Sequence, residues 1–302
     1  MSMVQTVLGP VPGVDLGLTL SHEHLLCRPP GSTADADPDL VLDDQQAALT
    51  ELAAFKAAGG SALIEVTPID YGRDLEGLAA LSRRSGVHIV AATGLHKDQF
   101  SASYTARMDE DQLADIFMRE LQIGVNGVRP GVIKLGSSGD QITPGERKAF
   151  TAAALAQRAT GAPITTHTEA GRLGLEQLDL LLGAGADPER IIIGHLDRLL
   201  DTGYHEAVLR TGAYVGYDQI GKPKYATDER RAEALAILAA RGHGAKLLIS
   251  GDLGRKSYWG AYGGKPGLDY IPKTFLSMLC AAGLSTGQAE ALVVANPARA
   301  FG

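Results

Sequence analysis

The chain has 302 residues, of which 45% are hydrophobic, 21% charged and 5% aromatic, with 28 Lys and Arg against 35 Asp and Glu. That apolar share, without Gly or Pro periodicity, excludes a disordered or fibrous chain. The net charge of −7 argues against a nucleic-acid binder, which needs a basic patch to displace counterions.

Eight short apolar runs, at residues 18–24, 62–66, 88–93, 132–135, 163–167, 191–194, 214–217 and 247–250, read as strands. Amphipathic stretches lie between them, at 43–58, 74–85, 110–123, 144–160, 174–184, 202–210 and 227–241. In the first of these, Leu49, Leu52, Ala53 and Phe55 recur at helical spacing. A Gly-rich loop follows the eighth strand, with helical patterns after it at 274–282 and 286–295. Thr143-Pro144 with Glu146 places a Thr cap before a Pro at the first helical position. Gly161 and Gly183 stand where helices should stop.

Eight strand-then-helix units predict an α/β fold, a (β/α)₈ TIM barrel forming a single domain over residues 1–302. A doubly wound open sheet is the alternative, but no GxGxxG follows the first strand. No run reaches the ~20 apolar residues of a membrane span. The start MSMVQTVLGPVPGVDLG lacks the basic onset and apolar core of a signal peptide. Two cysteines, Cys27 and Cys280, are too few for a disulfide framework, so a soluble cytoplasmic protein is expected.

The strand ends carry the chemistry. The first closes on His22-Glu23-His24, and alternation along a strand turns both imidazoles the same way. Alone, that pair is as consistent with structural placement as with a metal. The fifth strand, however, ends at His167, the sixth at His195 and the eighth runs into Asp252. All sit at the C-terminal ends of the strands, the face where barrel active sites form. Imidazole and carboxylate are ligands that zinc, cobalt or manganese accepts. Lys134 ends the fourth strand. A protonated lysine has no lone pair for a metal, and taken by itself it reads as the partner of a carboxylate. Among four histidines and an aspartate, the balance moves to a desolvated amine that reacts with CO₂, giving a carbamate able to bridge two cations.

The set Leu18-Thr19-Leu20-Ser21-His22-Glu23-His24-Leu25, Lys134, His167, His195-Leu196-Asp197 and Asp252 resembles the phosphotriesterase family of the amidohydrolase superfamily. The resemblance runs from about Gly9 to Phe301 and takes in Ala92-Thr93-Gly94 and Asn296-Pro297-Ala298-Arg299. Ile142-Thr143-Pro144, the segment Gly174-Leu175-Glu176-Gln177-Leu178, Ile220-Gly221-Lys222 and the short loop with Arg255, Ser257 and Gly263-Gly264 are closest to bacterial phosphotriesterase homology proteins. The resemblance implies two divalent cations, zinc first, with cobalt or manganese as substitutes. His22, His24 and Asp252 would hold the more buried ion, and His167 and His195 the more exposed one. N-carboxylated Lys134 would bridge them together with a hydroxide, the nucleophile, and Asp252 would also accept the proton.

The chain departs from that pattern in two ways. Efficient phosphotriesterases use an Asp–His proton relay, and the corresponding positions here are Arg198 and Gln219. Family lactonases place a Tyr after strand three, where this chain has Gly94-Leu95-His96. Their large loops after strands seven and eight are also shortened. The expected reaction is therefore hydrolysis of a small carboxylic ester, lactone or amide, with weak or no phosphotriesterase activity. His96, Gln219 and Arg255 are candidate substrate contacts, although a polar loop residue and a structural ion pair are the plainer readings of His96 and Arg255.

Lys222 and Lys224 read as solvated loop charges, and Glu23 as a cap on the far side of its strand. His88, His205 and His243 are assigned structural roles. Cys27 is close enough to line the pocket but has no paired base. Tyr258, Trp259 and Tyr262 either wall the pocket or form a homodimer contact. Competing functions are a phosphotriester hydrolase, a mononuclear deaminase, disfavoured by Lys134, and a non-catalytic barrel stabilised by metal. A serine triad is excluded by the absence of Gly-x-Ser-x-Gly. A small-molecule substrate is the expected partner.

Overall fold

Every apolar run that closes on a polar residue forms a strand of one parallel sheet in the computed structural model, which describes residues 2–302. Met1, where the expected single domain opens, lies outside the described residues. The strands are β3 (Leu18–Glu23), β4 (Gly60–Glu65), β5 (His88–Gly94), β6 (Val132–Gly136), β7 (Ile164–His167), β8 (Ile191–Ile193), β9 (Tyr214–Tyr217) and β10 (Leu247–Ile249). They pair in chain order from β3 to β10. The first and last strands meet through side chains and strand ends. Ser21 Oγ donates to the Ile249 carbonyl at 3.2 Å, and the His22 amide donates to Ser250 Oγ at 3.0 Å. The Asp252 amide donates to the His22 carbonyl at 3.1 Å. The result is the expected (β/α)₈ barrel.

Period-two alternation divides the core into two populations. Ala62, Ile64, Val90, Ala92, Val132, Ile192, Tyr214 and Leu248 fill the barrel interior. Leu63, Ile89, Ala91, Ile133, Leu135, Ile193, Val215 and Ile249 face outward into the layer of helices. Those helices follow their caps: Thr143 and Glu146 form a capping box on Pro144–Thr160, which ends at Gly161 with φ 73°.

An unpredicted antiparallel hairpin, β1 (Met3–Thr6) with β2 (Gly9–Pro12), closes the bottom of the barrel. Its Val4 packs with Leu16 and Phe301 against the interior residues. The expected helix over 286–295 is two, Thr286–Ala291 and Ala295–Phe301. Among the described residues, no helix is long and apolar enough to cross a membrane. Both cysteines are free, Cys27 buried and Cys280 exposed.

Candidate metal centre

Simple alternation along β3 would turn Thr19, Ser21 and Glu23 inward. Between Leu20 and Glu23 the register against β4 slips, with three residues matching two. Such a bulge re-aims side chains. Leu20 packs outside, while His22 and His24 enter the cavity at the C-terminal mouth. Glu23 is buried on the other side and accepts from Ser250 Oγ and the amides of Gly251 and Leu253 at 2.7 to 2.9 Å. It clamps the loop that carries Asp252.

The structure brings all six expected ligands, His22, His24, Lys134, His167, His195 and Asp252, to the wall of one cavity of about 170 Å³. His22 Nε2 lies 2.9 Å from Lys134 Nζ and 3.9 Å from Asp252 Oδ1, which is 3.3 Å from His24 Nε2. The His167 ring is 4.5 Å from that of His195, which is 4.8 Å from that of His22. His195 and Asp252 follow their strands by two and three residues, with φ 61° and 47°, a left-handed conformation of the kind that clusters at functional sites and costs roughly 1–3 kcal/mol per residue.

The four imidazoles share a second feature. Each has one nitrogen turned to an oxygen, by a hydrogen bond in three rings and by proximity alone in His22, leaving the other available. His24 Nδ1 is 2.7 Å from Thr67 Oγ1, itself bonded to Glu65 at 2.6 Å. His167 Nε2 is 3.3 Å from Glu169. His195 Nδ1 and His22 Nδ1 lie 2.5 Å and 3.2 Å from the two oxygens of Asp218. Supports of this kind orient metal-binding histidines. Burial pushes His22 and His167 down to about 3, so both rings keep lone pairs at neutral pH. It also brings the Lys134 ammonium down to about 8. His22, His24 and Asp252 place donor atoms close enough for one cation. His22, His195 and Asp218 are also close. The 2.5 Å contact between His195 and Asp218 is a short hydrogen bond, too tight for an ion that needs about 2.0–2.2 Å to each donor. The donor set therefore fits metal, with Asp218 as a support behind it.

Several expectations need correction. Lys222 is not a solvated charge: it is 4% exposed and pairs with Asp252 Oδ2 at 2.9 Å and Gln219 Oε1 at 3.1 Å. It also donates to the Asp252 carbonyl. Gln219 is not a cavity-wall residue. It is buried, and its Nε2 donates to Asp252 Oδ2 at 2.8 Å. Lys222 and Gln219 thus hold one oxygen of Asp252 and turn Oδ1 toward His22 and His24. Arg255 lines the cavity, but its Nη1 is held by Asp37 at 2.7 Å and Asp39 at 3.3 Å, because that acidic loop folds over it. Cys27 is buried away from the cavity wall, where burial drives its thiol up. Of the aromatic trio only Tyr258 lines the cavity, and Trp259 is wholly buried.

His96 does line the cavity, stacked on Phe100 at 5.2 Å and 4.9 Å from the His167 ring. Its backbone amide donates to Asp70, and its buried Nδ1 has no hydrogen-bond partner among the described residues. Sequence reasoning missed Asp218, Glu169, Thr67 and the cavity residue Tyr71. The signal for Asp218 was a carboxylate directly after an apolar strand, in Tyr217-Asp218.

The Phosphotriesterase family profile matches residues 2–301. A phosphotriesterase homology protein of Escherichia coli is 36% identical over 288 residues, covering 94% of this chain and 98% of that protein. An N-acetyltaurine hydrolase of Tetraodon nigroviridis is 32% identical, covering 97% and 96%. The crystal structure of a lactonase from Listeria monocytogenes superposes with a TM-score of 0.95 at 33% identity, covering 100% of this chain and 99% of that one. Given a profile match from end to end, the chain belongs to the phosphotriesterase family.

Proposed function

We propose that the protein is a metal-dependent hydrolase that uses two divalent cations to cleave a small carboxylic ester, lactone or amide, and that it acts weakly or not at all on phosphotriesters. The observation that carries this reading is the convergence of four imidazoles, Lys134 and Asp252 on one cavity. His22, His24 and Asp252 would hold one cation, His167 and His195 the other, with N-carboxylated Lys134 between them. When bound, such a pair supplies hydroxide near neutral pH and an electrophile for the substrate oxygen. Asp252 is the single carboxylate on the cavity wall among the described residues, which supports its role as acceptor of the nucleophile's proton.

Substrate class is read from the walls. About 170 Å³ suits a small molecule. The positions of the phosphotriesterase relay are committed elsewhere: Arg198 binds Glu169 at 2.9 Å and Gln219 binds Asp252. Lys224, Arg255 and His96 border the same cavity. With Arg255 paired to Asp37 and Asp39, Lys224, which lies over the Tyr225 and Tyr258 rings, is the freer cation for an acidic group on the substrate. The relatives support this direction, since N-acetyltaurine is an amide bearing a sulfonate and a lactone is a cyclic ester.

The test compares kcat/KM for a small lactone, an aryl ester, an N-acyl amide and an aryl dialkyl phosphate, each carbonyl substrate with and without an acidic group. A carbonyl compound is expected to be best, with the acidic form ahead of the neutral one. A phosphotriester that clearly outperforms the others overturns the substrate class, and no turnover of any of them favours a binding-only barrel. Arg255→Ala that leaves every value unchanged removes Arg255 from the substrate site.

A further inference from the structure

We propose that Asp218 is a shared positioning residue, whose one carboxylate fixes the tautomers of His22 and His195 together and so readies a ligand nitrogen for each of two cations. The inference rests on the two-cation reading above and deepens it, because Asp218 is 1% exposed and stands behind the cavity wall.

Asp218 follows β9 directly, one residue beyond the outward-facing Tyr217. Its Oδ1 is 2.5 Å from His195 Nδ1, and its Oδ2 is 3.2 Å from His22 Nδ1. The His195 backbone amide donates to both oxygens, at 2.9 and 3.1 Å. Gly194 makes the approach feasible: a Cβ there would clash with the Thr166 carbonyl and stand 2.8 Å from Asp218 Oδ2 and 3.4 Å from His22 Cε1.

An ionised carboxylate only accepts, so each imidazole meets Asp218 through Nδ1–H. A neutral ring has one such proton, and Nε2 then keeps its lone pair. Gln219 Nε2 also lies 2.9 Å from His195 Nδ1. An amide nitrogen could only donate there, which would require the opposite tautomer. The Gln219 amide has other partners: Oε1 receives from Lys222, and Nε2 gives one proton to Asp252 Oδ2 at 2.8 Å and has Asp218 Oδ1 at 3.5 Å for the other. The shorter Asp218 contact therefore sets the tautomer of His195. His22 Nδ1 makes no hydrogen bond of full geometry among the described residues, and Asp218 Oδ2, 3.2 Å away, is the polar atom it faces.

One carboxylate thus supports a histidine from each cation's ligand set. Replacing it by an amide separates the two. Asp218→Asn offers one accepting oxygen and one donating nitrogen in the same shape. The His195 side presents two donors, Nδ1–H and the backbone amide, so the oxygen settles there. The –NH₂ then faces His22 Nδ1, which must accept, and its proton moves to Nε2. The cation held by His22, His24 and Asp252 is expected to weaken 10- to 100-fold, while that of His167 and His195 is retained.

Competitive titration of metal-free protein with cobalt(II) against a chelator of known affinity, with visible spectra recorded at each step, reads both sites. Native-like binding of both ions by Asp218→Asn overturns the proposal. So does equal weakening of the two, which a packing defect would give. Should Asp218→Asn fail to fold, histidine-selective ¹⁵N correlation spectra of the native metal-free chain decide instead. Nδ1–H on both His22 and His195 is expected, and Nε2–H on either overturns the proposal. Native protein that binds fewer than two ions defeats the two-cation reading, and the spectra still judge Asp218 on its own.

Discussion

Lys134 lies in the middle of β6 at 2% exposure with its Nζ 2.9 Å from His22 Nε2, where burial lowers its ammonium to about 8. Carbamate formation needs the neutral amine, and this environment supplies it roughly two orders of magnitude more readily than a solvated lysine does. Lys134→Ala is expected to lose nearly all activity, with acetate or propionate restoring part of it by supplying a replacement bridge. Activity without added acid near the native level would refute the bridging role. Lys222 gives a second test. It is the buried partner of Asp252 Oδ2, and removing one member of a buried pair costs roughly 3–5 kcal/mol. Asp252 keeps the Gln219 amide and its side chain is 20% exposed. Lys222→Met should therefore destabilise the metal-free protein by about 3 kcal/mol, at the lower end of that range, read from urea unfolding. An unchanged midpoint would return Lys222 to the solvated role that its Gly-Lys-Pro context suggests. No periodicity marks a buried lysine in such a loop; its burial comes from the loop folding back on Asp252 and on the Tyr258 ring, 4.9 Å away. Asp218 was legible only as a carboxylate after an apolar strand, since its role exists only once His22 and His195 are brought beside it.

The elements that deliver these residues are joined by Arg231, wholly buried in the helix Asp228–Leu238. Its Nε donates to Asp197 Oδ2 at 2.8 Å, and its Nη1 to Asp228 at 2.8 Å and the Ala226 carbonyl at 2.7 Å. Asp197 in turn accepts from the amides of Asp218 and Gln219, at 3.3 and 3.0 Å. The loop after β8 is thereby locked to the loop after β9. Arg231→Leu would leave Asp197 buried without its cation, and a loss of about 3–5 kcal/mol is expected. Hydrogen exchange of the Asp218 and Gln219 amides should rise more than that of strands on the far side of the barrel. Uniform protection would mean that the arginine supports the helix alone. At this scale the sequence was readable wherever one pattern sufficed. The strands showed as apolar runs closing on polar residues, and the helix at Pro144 as a cap with its box. The β3 bulge and the β1–β2 hairpin escaped. A register slip leaves no composition signal, and Gly9-Pro10 with Pro12-Gly13 reads as turn when the β1 strand it pairs with is not in view.

Taken as a whole, the molecule gathers four imidazoles, an amine and a carboxylate at the open end of its barrel, with the ligand atoms largely removed from water. Cations that bind only the folded chain stabilise it by mass action, by about 4 kcal/mol for each site at a thousandfold excess over Kd. At about 2 °C per kcal/mol for a chain of this length, two such sites raise Tm by on the order of 15 °C. Stripping with chelator and then adding zinc or manganese with bicarbonate should recover that shift, with elemental analysis returning close to two ions per chain. Dependence on pH follows from Lys134. Its amine is increasingly neutral as pH rises through about 8, and burial holds His22 and His167 neutral well below that. The bicarbonate-dependent part of the shift should therefore grow between pH 7 and pH 9, while the part that survives without bicarbonate stays level. A Tm indifferent to chelator, or saturation at a single ion with bicarbonate present, would defeat the binuclear centre. A full shift that ignores bicarbonate would keep the two ions and remove the carbamate between them.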